Sequence, residues 1–136
     1  MNPLQPIIHR MISNPKLMFL IDGLGAVLSV FLLGVVLVQL ENLIGMPSKT
    51  LYVLAGIAGF FVVFSFFCAF RIKKNWRLFL KVIAFFNLSY CLLTFSLVLF
   101  HQAHLTTLGV GYFLLEIIII VSLSIFEFKV ATSELG

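Results

Sequence analysis

The sequence predicts an all-α membrane protein: four transmembrane helices in an up-down-up-down bundle, with both termini cytoplasmic. Three observations predict it. The chain is 62% hydrophobic and only 10% charged, against roughly 45–50% apolar and 25% charged in a soluble domain. Four apolar stretches are each long enough to cross a ~30 Å hydrocarbon core as a helix. The lysines and arginines lie almost entirely on one side of those stretches.

Residues 1–16 are mixed in character. Pro3 and Pro6 discourage a long helix at the start, and residues 7–12 suit an interfacial segment with Arg10 turned outward. Ser13-Asn14-Pro15 reads as a helix start, a capping side chain followed by proline at the first helical position. The first span follows over 17–40, about 36 Å of helix. A cleaved signal peptide is excluded because the run is too long and no small-residue cleavage pattern follows Leu40. Residues 41–50 form a loop in which Gly45 suits a helix end and Pro47-Ser48 a restart. The second span is expected over 51–70, the third over 78–100 and the fourth over 108–128, with residues 129–136 as a loosely ordered tail.

Orientation follows from charge. Arg10, Lys16, Arg71, Lys73, Lys74, Arg77, Lys81 and Lys129 fall on one side and Lys49 alone on the other. Such an asymmetry places the richer side in the cytoplasm. The basic loop of Arg71, Lys73, Lys74 and Arg77 lies between two apolar spans, next to Trp76, and faces lipid headgroups. Its position therefore accounts for the net charge of +4 without nucleic acid. Short connections make consecutive helices antiparallel neighbours.

An ionisable side chain at the bilayer centre costs about 2.5–3.5 kcal/mol on insertion scales, so each one needs a reason. Glu116 is the deepest, about 12 Å into the fourth span, and shares a face with Tyr112, Leu123 and Glu127. In the third span Asn87, Tyr90, Cys91 and Thr94 form a polar stripe at helical spacing. A contact from Glu116 to Asn87 or Tyr90 is the expectation. Asp22 and Lys81 enter their spans at similar depth from the same side, which suggests a structural ion pair. Gly25-x-x-x-Ser29 and Ala55-x-x-x-Gly59 match the small-residue pattern of close helix contacts.

Other signals are thinner. His101 and His104, with Glu41, could in principle form an outer-face metal set, though solvated loop histidines are the commoner case. Cys68 and Cys91 differ in depth by about 15 Å, too far for a disulfide. There is no Cys-x-x-Cys, phosphate loop, serine elbow or zinc-protease helix, and no cofactor is evident. The reading that asks least is a non-catalytic membrane component acting through helix association, as a homo-oligomer or in a larger complex. The alternative is a small oligomeric transporter or channel with Glu116 as a titrating proton or cation site. The partner common to both is the lipid bilayer, and a bacterial inner membrane is the expected location. For orientation, Lys74→Cys in a chain lacking Cys68 and Cys91 should resist a membrane-impermeant maleimide added outside intact cells; prompt labelling would reverse the topology.

Overall fold

The computed structural model describes residue 3, residues 5–72 and residues 74–132. Lys73 and residues 133–136, the second half of the expected tail, lie outside the described residues. Within them the chain is all-helical: α1 (Gln5–Ser13), α2 (Lys16–Phe31, continued by a π-helical segment Leu32–Leu37), α3 (Glu41–Ile44), α4 (Ser48–Arg71), α5 (Trp76–Phe100) and α6 (Thr107–Thr132). Four helical stretches, Lys16–Leu37, Ser48–Arg71, Trp76–Phe100 and Thr107–Thr132, are long and apolar enough to cross a membrane. Their exposed residues are largely Leu, Ile, Val and Phe, such as Leu24, Val63, Leu92 and Ile118. That is the surface a lipid solvent requires.

The boundaries differ from expectation where local chemistry is strong. Near the N-terminus a helix forms despite Pro6, because proline is tolerated in a first helical turn. It buries Ile8 against Val130 and Ala131 of α6 while Arg10 stays exposed. Asn14 provides no side-chain cap for α2; Pro15 flanks the helix and Leu17 N–H donates to the Asn14 carbonyl instead. The first span is not a uniform α-helix, since its last third widens to π geometry around Gly34, whose position lies against Ala55. The loop over 41–50 contains the short α3, closed by Gly45 at φ 90°, a left-handed cap that glycine adopts without strain. At its far end α6 continues through Thr132, and Arg77 explains why: its guanidinium donates to the carbonyls of Val130 and Ala131 at 3.3 and 3.1 Å. A cation there complements the negative helix end.

Backbones approach most closely in two pairs, α2 with α4 and α5 with α6. By contrast α4 and α5, although consecutive, meet mainly through rings: Phe61 stacks on Phe86 at 6.2 Å, and Phe64 meets Phe86 edge-on at 5.8 Å. Small residues are used where the chain crosses itself. Gly45 lies against the His104 carbonyl and Gly109 against the Ile44 carbonyl, with no room for a side chain at either. Between them Thr106 accepts from Gly109 N–H at 3.0 Å, a side-chain N-cap for α6, and its hydroxyl faces the carbonyls of Leu43 and Ile44.

These contacts lock α3 to the start of α6. A methyl at position 45 would add the cost of a left-handed non-glycine residue, roughly 1–2 kcal/mol, to a clash with backbone. Gly45→Ala is therefore expected to destabilise the protein by at least ~2 kcal/mol, whereas Gly111→Ala, at a position with open space, should be close to neutral. Thermal unfolding of both variants in one detergent measures the difference, and equal stability would contradict the packed crossing.

Candidate functional site

Polar side chains inside the four long helices gather in two groups. The first is built on Glu116, which α6 presents inward and which is 9% exposed. Tyr90 on α5 donates its hydroxyl to Glu116 Oε1 at 3.0 Å, and Tyr112, one turn earlier on α6, donates to Oε2 at 2.8 Å. Each carboxylate oxygen thus has its own phenol donor. Two hydroxyl donors suit an ionised carboxylate, because both hydrogen bonds strengthen with its charge. Of the two contacts expected for Glu116, the one to Tyr90 is present.

The contact to Asn87 is not, and the helix rise explains it. Asn87 Nδ2 donates to Glu127 Oε1 at 3.2 Å and, over a longer 3.4 Å, to Asp22 Oδ1. Glu127 lies eleven residues beyond Glu116 on α6, about 16 Å along the axis, so one amide cannot serve both. The second group therefore consists of Asp22 from α2, Asn87 from α5 and Glu127 from α6. The carboxyl groups of Asp22 and Glu127 lie within hydrogen-bonding reach of each other. Asp22 is 6% exposed and Glu127 is fully buried. One oxygen of each, Asp22 Oδ2 and Glu127 Oε2, has no conventional donor.

Lys81 does not pair with Asp22. It precedes Asn87 by six residues, about 240° round the helix, so it lies on an exposed face while Asn87 turns inward. Asp22 and Glu127 act on each other and on Asn87, and Glu116 on its two tyrosines. Glu127 was legible only as a residue nearing the interface; its depth comes from α6 running on through Thr132. Of the remaining stripe, Cys91 Sγ reaches the Ile117 carbonyl at 3.9 Å, and Thr94 is buried beside the Tyr90 hydroxyl. Both cysteines are buried free thiols.

A cavity of about 240 Å³ runs between the two groups. Asp22 and Asn87 line one part of it and Tyr90, Tyr112 and Glu116 another, with Ser29 and Gly25 along α2. Aromatic rings of Phe61, Phe64 and Phe86 complete the wall. Gly25 therefore opens space for the cavity and does not mediate a tight helix contact; nothing lies within 4 Å of where its Cβ would be.

The loop residues considered for a metal are arranged otherwise. Glu41 accepts hydrogen bonds from Ser48 Oγ at 2.7 Å and Ser48 N–H at 3.1 Å, an acidic group at the start of α4. Those two bonds hold its carboxyl below the usual glutamate range. His101 packs edge-on against Phe100 at 5.0 Å, and His104 is exposed. Among the described residues no three His, Cys, Asp or Glu side chains gather to hold a metal ion. Of the basic loop, Arg71 and Lys74 are exposed while Arg77 stacks over Trp76 at 4.7 Å. Compared with known proteins, the chain matches no family model, no curated sequence and no solved structure.

Proposed function

We propose that this protein is a small transporter that takes a monovalent organic cation into the cavity between its four long helices, with Glu116 as the counter-charge. The observation that carries this reading is the pairing of an apolar, ring-lined cavity with a buried carboxyl group that has two hydroxyl donors. Those donors favour its charged form, and among the described residues no lysine or arginine acts on it. Aromatic side chains of Phe61, Phe64 and Phe86 in the wall suit a soft, weakly hydrated cation. A volume of about 240 Å³ is small against the ~300–1,000 Å³ of drug-sized pockets, which favours a compact quaternary ammonium over a large dye. The charge asymmetry of the loops supports the cytoplasmic placement of both termini, and a bacterial inner membrane is the setting we propose.

A second reading, self-association through α4, is compatible with the first. Gly56 and Gly59 present a small-residue face with nothing within 4 Å of either added Cβ, and such faces pair helices in lipid. The sequence expectation of a helix-associating component rests on this surface. The Gly56→Leu, Gly59→Leu double variant should shift the mass in mild detergent from a dimer to a monomer by light scattering. An unchanged mass would remove this reading and leave the first intact.

Benzyltrimethylammonium tests the transporter reading, with its uncharged tert-butyl analogue neopentylbenzene as control. Wild-type protein in lipid nanodiscs should bind the cation, and Glu116→Gln, which preserves shape, should lose at least about tenfold in affinity, roughly 1.4 kcal/mol. Liposomes bearing the Gln variant should show no cation flux. Equal binding by the two proteins, or tighter binding of the neutral analogue, would sink the proposal.

A further inference from the structure

We propose that Asp22 and Glu127, bridged by Asn87, store one exchangeable proton as a carboxylic acid–carboxylate pair, and that this proton leaves when a cation enters the cavity. The first half rests on the geometry of the pair alone. The second rests on the reading of the cavity given above.

Two ionised carboxylates in contact repel each other strongly where no water or cation screens them. Here the two groups sit on different helices, α2 and α6, and both reach one amide nitrogen, Asn87 Nδ2, at 3.4 and 3.2 Å. Their shared donor, the Asn87 amide, satisfies Asp22 Oδ1 and Glu127 Oε1 only. The opposite oxygens, Asp22 Oδ2 and Glu127 Oε2, are both buried without a donor. A single proton between the carboxyl groups supplies the missing donor and leaves the pair with one negative charge instead of two. From α4 the titratable neighbour is the Cys68 thiol, which is not cationic; α5 contributes the neutral Asn87 amide. The two carboxyls act on each other and on Asn87; His9 and Arg10 of α1, which also packs on α2 and α6, are exposed.

Contrast with Glu116 assigns the roles. Glu116 has a hydroxyl donor for each oxygen, and those hydrogen bonds favour its charged form; the pair is short of donors and, in this proposal, keeps a proton. Both touch the same cavity, because Asp22 lines it at one place and Glu116 at another. A cation arriving in the cavity adds a positive charge. Releasing the shared proton to water removes one, so the electrical balance of the interior is restored without moving a helix. No bond other than O–H changes. The device is an exchange of one proton against one organic cation.

Two measurements test it separately. Infrared spectroscopy of the Glu116→Gln protein in lipid leaves Asp22 and Glu127 as the intramembrane carboxyls of a chain with five acidic residues. At neutral pH the protonated-carboxyl band, identified by its shift in deuterium oxide, should integrate to about one group per chain. An integral near zero or near two would overturn the shared proton, whatever the cavity binds; Glu116→Ala provides a second background if the first fails to fold. In weakly buffered solution with a pH dye, saturating benzyltrimethylammonium should release about one proton per chain from wild-type protein. Glu127→Gln, at a residue outside the cavity wall, should still bind the cation but release at least fivefold less. Full release from this variant would place the exchanged proton elsewhere and overturn the coupling. Failure of wild-type protein to bind the probe would overturn the coupling through the cavity reading, while the infrared count still judges the pair.

Discussion

In hydrocarbon a polar side chain cannot turn to water, so each one inside a span must find its partner on the protein. That constraint organises the interior of this molecule. Glu116 is satisfied by Tyr90 and Tyr112, and Asn87 is drawn to the carboxyls of Asp22 and Glu127. Each group ties α6 to α5, and the second also reaches α2. Apolar packing would hold these helices together in many registers, because one leucine face fits another almost as well a turn away. Hydrogen bonds between fixed positions do not have that freedom. The polar groups therefore set how the helices align, and the cavity is the space left between two such alignments.

Much of the fold was legible in the sequence, and for a simple reason. Helices that span a fixed thickness with few charged residues announce themselves by length and composition, so all four long helices lie where the apolar runs put them. Glycine at position 45 marked a helix end for the same local reason, since few other residues adopt its backbone geometry. The contact between Glu116 and Tyr90 followed from matching depths on two neighbouring helices.

What escaped depends on contacts between residues far apart in the chain. Nothing near Glu127 reveals that α6 continues past the apolar run; the signal is Arg77, more than fifty residues earlier, closing its end. Asp22 and Lys81 matched in depth, but rotation about α5 decides which residue looks inward, and depth alone carries no rotation. A helical wheel centred on Asn87 would have set Lys81 on the outer face. The partners of Gly45 and Gly109 are backbone carbonyls across the bundle, which no side-chain pattern records. The widened turn over Leu32–Leu37 has no sequence signal that we can name.

The layer of phenylalanines between α4 and α5 has a mechanical consequence. Each close-packed pair, α2 with α4 and α5 with α6, is stiff because backbones touch across small residues or are bridged by polar bonds. Where α4 faces α5 the seam between the pairs is stacked rings, which slide without breaking a directional bond, while the Asn87–Asp22 hydrogen bond and the Thr106 contacts to Leu43 and Ile44 pin the two halves at either end. Packed helices that shift past each other in this way undergo shear, the small-step motion seen when domains close on ligands. Phe61, Phe64 and Phe86 wall the cavity as well as the seam, so a slip between the two halves would change the shape of the chamber directly. The ring-packed stretch of the seam, pinned by hydrogen bonds at its ends, borders the molecule's emptiest space.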